Sequence, residues 1–132
     1  SNDITLGAWA LFVLLFLWQF PHFLAIAWMY REQYAKAGIL MLPVVEPSGR
    51  ITVRQIVIFT IMMVAISFAP FFLGFAGYVY LIGAAALGIW ALFESIQMAR
   101  LRSVSMARRL LMVSVIYLPL IFGLLVLDHI RP

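Results

Sequence analysis

The chain has 132 residues, 66% of them hydrophobic and 11% charged, with a formal net charge of +4. Soluble domains are nearer half apolar and a quarter charged, so the composition excludes an ordinary water-soluble domain and points to an all-α integral membrane helix bundle. The basic residues are few and flank apolar runs, which excludes a nucleic-acid-binding surface, and the absence of cysteine excludes disulfides and thiolate metal sites.

A hydrocarbon core of about 30 Å needs roughly 20 apolar residues per helix, and four stretches meet this. The first spans about 4–30. Ser1 stands where an initiator methionine would be, so processing or truncation is expected upstream. A signal peptide is not, because no basic residue precedes an apolar run too long for an h-region. A polar loop over 31–52 follows, containing Gly38, Pro43, Pro47 and Gly49. The second span runs over about 53–73, a tight turn over 74–77, and the third span over about 78–99. A basic connector over 100–109 leads into the fourth span, about 110–127. The short alternating segments of a β-barrel are absent.

Pro21, Pro70 and Pro119 each lack a backbone donor and are expected to bend or end their spans locally. In the third span Ala84 and Gly88 share a face and permit close helix approach. Four spans place both chain ends on one side. Arg31, Lys36, Arg50, Arg54, Arg100, Arg102, Arg108 and Arg109 then lie on the other, with Arg131 alone opposite. The positive-inside rule makes the 31–52 loop cytoplasmic and the C-terminus external.

The stretch WQFPHFLAIAWMYREQYAKAG, residues 18–38, carries polar groups at the loop end of the first span. At 3.6 residues per turn, Gln19 and His22 take neighbouring positions on one helix face. If the helix continues past Tyr30, Gln33 and Lys36 lie near that stripe, Glu32 sits at its edge and Arg31 points away. Polar residues inside a span face either a neighbouring helix or a wet cavity, and both readings stand for His22. Trp18, Trp28 and Tyr30 fit an interfacial aromatic belt, and the loop charges fit a solvated topology signal equally well. His22 and His129 lie at opposite ends of the bundle, about 25–30 Å apart, so they do not clasp one haem; His129 reads as part of a solvated tail. Glu94, inside the third span, needs a partner: Gln97, three positions on, or Arg100 or Arg102 by snorkelling. Ser114 and Tyr117 in the fourth span read as hydrogen-bonding contacts between helices.

The segment WQFPHFLAIAWMYREQYAKAGILMLPVV resembles the pattern of the protohaem IX farnesyltransferase (haem O synthase) family, in the UbiA superfamily of intramembrane prenyltransferases. That pattern reads Trp-Gln-x-Pro-His-Phe, an acidic-Tyr pair, Ala-Gly, then Met-Leu-Pro-Val. GRITVRQI and ARRLLMVSVIYLPLIFGLLVLD resemble later helices of the same family, so the likeness covers essentially the whole chain. The resemblance implies the last four helices of a nine-helix fold around a central cavity, in the bacterial cytoplasmic membrane. It implies that the family's first half, with the Asn-Asp-x-x-Asp-x-x-x-Asp motif holding Mg²⁺ and farnesyl diphosphate, lies outside these residues, so that the fragment alone is inactive.

The implied reaction joins farnesyl to a vinyl group of protohaem IX, releases diphosphate and yields haem O; haem is substrate, not prosthetic group. By the same resemblance His22, with Gln19 orienting it, and Tyr34 are catalytic candidates. Arg31, Lys36 and Gln33 are substrate-binding candidates, and Glu32 is the Mg²⁺–diphosphate candidate. Two positions depart from the pattern. Gln33 stands where the family usually has Asp, and a neutral amide does not replace a carboxylate on Mg²⁺. Leu40 stands where the family often has Pro. The rival readings are a prenyltransferase acting on a quinone precursor and a non-enzymatic transporter or assembly subunit. The latter needs a polar path across the bilayer, whereas here the polar groups gather at one end.

Overall fold

The structure, a computed structural model, describes residues 2–74 and 76–130. The expectations for His129 and Arg131 fall on side chains outside the described ones. Seven helices follow in order: α1 (Asn2–Met29), α2 (Arg31–Lys36), α3 (Leu42–Val45), α4 (Arg50–Ser67), α5 (Ala69–Phe72), α6 (Tyr78–Leu101) and α7 (Val104–Ile130). Four segments are long and apolar enough to cross a membrane: Leu6–Met29, Arg50–Phe72, Tyr78–Leu101 and Val104–Asp128.

Local chemistry explains the breaks. Pro70 ends α4: the ladder tightens to an i→i−3 bond from Phe68 N to Ala65 O (3.2 Å) before α5 restarts. Pro21 and Pro119, by contrast, sit inside unbroken helices. The 31–52 loop is more ordered than its composition suggests, because it holds α2 and α3 and the start of α4. α2 closes with a Schellman motif, in which Gly38 N donates to Ala35 O and Ile39 N to Tyr34 O. The motif needs a left-handed residue, and Gly38 supplies it at φ 77°.

The start of α4 is capped from the preceding loop. Ile51 N donates to Glu46 Oε1 (2.9 Å), and the Ser48 hydroxyl donates to Glu46 Oε2. These two bonds, that from Ser48 foremost, hold the Glu46 carboxyl below its ordinary value of 4.5.

The main helix contacts run α1–α4, α4–α6, α6–α7 and α7–α1, closing a four-membered ring. Small residues permit the close approaches. A Cβ on Gly88 would lie 2.7 Å from Val64 Cγ1 of α4, and one on Gly83 would overlap Leu124 of α7. In lipid such packing, with interhelical hydrogen bonds, takes over from the hydrophobic effect between helices. Two buried clusters fill the ring. One contains Leu14, Leu17, Met63, Ala84, Tyr117 and Ile121. The other, nearer the loop end, contains Ala25, Trp28, Val53, Ile56, Met98 and Leu110. In sequence His22, Thr60 and Glu94 fall between the two clusters on their respective helices, and Ser114 follows Val113 at the near edge of the first.

Hydrogen bonds join the ring at both ends. Arg102, at φ 48° and closing α6, donates from Nη1 to Ser48 O (3.2 Å), so the α6–α7 connector and the long loop share one end. At the other end Asp128 Oδ2 accepts from Gly77 N (2.7 Å) and Tyr80 N (2.9 Å), capping α6 from α7. Buried between the helices, Tyr80 Oη donates to Ser67 O (2.6 Å), and Tyr117 Oη meets the Ser67 hydroxyl. Asp128→Ala removes the acceptor for two N–H groups and a negative charge from a helix N-terminus. It is expected to destabilise the bundle by about 1–2 kcal/mol, with Asp128→Asn recovering part. Denaturation of the full-length protein in detergent measures this, and an unchanged midpoint for Asp128→Ala would show the cap to be idle.

Candidate functional site

His22 lies on α1 about one and a half turns beyond Leu17, at the level where α1 passes α7. Its ring is half-buried. Nδ1 lies 2.8 Å from Ser114 Oγ of α7, and the Trp18 indole stacks on the ring at 4.7 Å between centroids, 20° from parallel. Trp18 and His22 are four apart and therefore neighbours on one helix face. Trp18 Nε1 in turn donates to Ser114 O (2.8 Å). One residue of α7 thus engages both rings. Gln19 is half-buried but makes no hydrogen bond to His22 among the described residues. The contacts on the His22 ring come instead from Ser114 and Trp18.

At Tyr30 the backbone leaves helical geometry (φ −112°, ψ 23°) and α2 begins afresh, so the stripe expected from Gln19 to Lys36 is not one continuous helix face. The interruption places Arg31 against the end of α1. Arg31 Nη1 donates to Trp28 O (2.7 Å), and its guanidinium lies 4.1 Å above the Trp28 ring. This caps the carbonyl end of α1 with a positive charge and uses one of five guanidinium N–H donors. Among the described residues nothing accepts from the rest, which leaves them to an anion.

Glu32, Gln33 and Lys36 are exposed on α2 and Tyr34 is half-buried. Glu32 and Lys36, four apart, share a face. The Arg31–Lys36 block and His22 form two separate groups, since nine residues at 1.5 Å each put roughly 13 Å of helix axis between His22 and Arg31.

Two aromatic expectations change. Trp28 is buried at 3% exposure, and Trp18 is committed to Ser114 and His22; of the expected belt only Tyr30 stays exposed. Trp28 is held from the loop side by Gly49, where a Cβ would come within 2.6 Å of the indole.

Glu94 also departs from expectation. Its Oε1 pairs with Arg109 Nη2 of α7 at 2.7 Å, not with Gln97, Arg100 or Arg102. Position 109 is far away in sequence but faces α6 once α7 folds back. Glu94 is 4% exposed and Arg109 51%, so the pair reaches from the bundle interior to the basic rim. Arg109→Ala leaves a buried carboxylate unpaired. It is expected to destabilise by about 2 kcal/mol, less than for a fully buried pair because half of Arg109 is solvated. Double-mutant denaturation with Glu94→Gln checks this, and purely additive effects would remove the coupling.

Among the described residues no three His, Cys, Asp or Glu side chains come together as a metal site. Glu32 offers a single exposed carboxylate, and Glu46, the loop's other one, is engaged in capping α4. These residues therefore do not fit a complete Mg²⁺ site by themselves. What they do offer is a basic, hydrogen-bonding rim above a half-buried imidazole, set in an apolar helix ring.

An apolar ring of membrane-length helices with cationic residues at one end is the frame of an integral membrane protein, and the family comparison says of which kind. The chain belongs to the UbiA prenyltransferase family, whose profile matches residues 1–125, and it is an integral membrane protein. Within that family it is 54% identical over 129 residues to a protein of Solibacter usitatus (strain Ellin6076) named protoheme IX farnesyltransferase, covering 98% of this chain and 44% of that protein. Relatives of the same name in Koribacter versatilis (strain Ellin345) and Salinibacter ruber (strain DSM 13855 / M31) are 48% and 43% identical, over 91% and 97% of this chain and 41% and 45% of theirs. The chain thus spans less than half the length of these relatives. No solved structure matches it.

Sequence reasoning missed Ser114 as the partner of His22. The only local signal was the four-residue spacing of Trp18 and His22; nothing in the sequence ties position 22 to position 114.

Proposed function

We propose that these residues form the C-terminal part of a protohaem IX farnesyltransferase, which transfers farnesyl from farnesyl diphosphate to a vinyl group of protohaem IX; water adds to the carbocation left on the vinyl group and loses a proton, giving haem O and diphosphate. The observation that carries this reading is the 54% identity, over 98% of the chain, to a relative of that name. The chemistry fits the residues. Breaking the allylic C–O bond releases diphosphate, and preplaced cations lower the barrier by meeting the charge that develops on it. Arg31 and Lys36 are the cations of α2 for that task. Gln33 and Tyr34 add neutral hydrogen-bonding groups on the same short helix. The apolar ring beneath keeps water from the farnesyl cation. His22, held between Trp18 and Ser114, is the group suited to proton handling near the porphyrin.

Mg²⁺ neutralises diphosphate when bound. Its ligands belong mainly to chain beyond these residues, with Glu32 contributing at most one carboxylate, and the 132-residue segment alone is inactive. The full-length protein, supplied with farnesyl diphosphate and protohaem IX, is expected to form haem O; transfer to a quinone precursor with none to haem would replace this reading.

The protein lies in the bacterial cytoplasmic membrane with the 31–52 loop inside and the C-terminus outside. This orientation rests on the basic residues gathered at the loop end and on the Arg102–Ser48 bond that joins connector and loop there. A single cysteine introduced at the exposed Lys36 is expected to resist impermeant thiol reagents in intact cells and to react in inside-out vesicles; the reverse pattern would invert the topology.

A further inference from the structure

We infer that Ser114 is a positioning residue for His22, fixing its neutral ring as the Nδ1–H tautomer and leaving the lone pair on Nε2. The inference rests on the reading of His22 as a site residue and adds which nitrogen acts and what selects it.

The argument is a count of hydrogens. Ser114 Oγ lies 2.7 Å from Leu111 O and 2.8 Å from His22 Nδ1. A hydroxyl has one hydrogen, and a carbonyl oxygen only accepts. The hydroxyl hydrogen is therefore directed to Leu111 O, in the back-bond to the preceding turn that helical serines make. Towards His22 the oxygen has only lone pairs left, so Nδ1 supplies the hydrogen. In a neutral imidazole the other nitrogen is then bare. The ring is held in this setting by two further contacts: Trp18 stacks on it, and Trp18 Nε1 is anchored to the backbone carbonyl of the same Ser114. α7 thus sets the tautomer with a side chain and the ring plane, through Trp18, with a backbone atom. The two functions can be separated by mutation.

Ser114→Ala removes the hydroxyl but keeps the carbonyl that holds Trp18, so the packing of α1 on α7 is retained. Ser114→Thr restores a hydroxyl able to make the same back-bond. The experiment is ¹⁵N NMR of full-length protein labelled at histidine in detergent micelles, with the His22 signal assigned by its loss in His22→Gln. Turnover and tryptophan fluorescence are measured in parallel.

The expected result is a protonated Nδ1 and a bare Nε2 in the wild type and in Ser114→Thr. In Ser114→Ala the proton is expected to redistribute to Nε2. Turnover there should fall about tenfold, the equivalent of one hydrogen bond, with the KM for farnesyl diphosphate and the fluorescence unchanged. A wild-type ring protonated on Nε2 would overturn the proposal. So would a Ser114→Ala ring that keeps its Nδ1 proton, whatever its activity. The tautomer is read without turnover, so a fully active His22→Ala would remove the site reading while the NMR result still decides the role of Ser114.

Discussion

In the full-length protein, His22→Ala is expected to lower haem O formation about a hundredfold, the low end of what a positioned acid–base group contributes, while the bundle stays folded. The folding half of this expectation comes from the partners of His22. Ser114 keeps its bond to Leu111 O and Trp18 keeps its bond to Ser114 O when the imidazole is gone. The bundle therefore loses only one interhelical hydrogen bond, worth about 0.6 kcal/mol in a membrane protein. Glu32→Ala is expected to lower activity less, because an exposed carboxylate on α2 is at most one contributor to diphosphate binding. The check is haem O quantified by chromatography from membranes containing equal amounts of each protein. Wild-type activity in both variants would defeat the site assignment.

Gly49→Ala should be the most destabilising small substitution in the loop, at about 3 kcal/mol. Two effects add. A non-glycine residue at φ 83° carries about 1–2 kcal/mol of backbone strain. The new methyl would also lie 2.6 Å from the buried Trp28 ring, and such overpacking costs about 1–3 kcal/mol. Trp28 has little room to yield, since Arg31 lies over its ring and the ring belongs to the loop-end core.

Gly38 is the built-in control. Its φ of 77° is nearly the same, but nothing lies within 4 Å of a Cβ there. Gly38→Ala should show the strain alone, and the difference between the two variants isolates the Trp28 contact. Denaturation of the full-length protein in mixed micelles reads both. Equal losses would mean that the loop does not press on Trp28 as described.

Much of the architecture is legible in the sequence. In lipid a backbone is satisfied only in helices or closed barrels, and long apolar runs without a barrel's short alternating segments leave the all-α membrane bundle. Of the prolines expected to bend or end their spans, Pro70 does end a helix, because α4 has a turn at Phe68 where the missing donor can be absorbed. Pro21 and Pro119 left their helices unbroken, so a missing donor does not by itself dictate a stop. The Ala84–Gly88 face was readable because close approach needs small side chains, and Val64 does pack there. The 31–52 loop was harder. Its short helices depend on caps whose donors and acceptors come from neighbouring turns, as with Glu46 and Ile51.

The site was legible as a set of residues but not as an arrangement. The residue types and their order by themselves determined that polar and cationic groups collect at one end of an apolar bundle, because span length and charge placement follow directly from composition along the chain. Only the tertiary structure decided that His22 meets Ser114, that Glu94 meets Arg109 and that Trp28 is clasped by Gly49 and Arg31. Each of those pairings except Trp28–Arg31 joins different parts of the chain brought together by the folding back of α4, α6 and α7. Which side chain faces which across a helix ring depends on how far each helix is rotated about its axis, and packing alone sets that rotation.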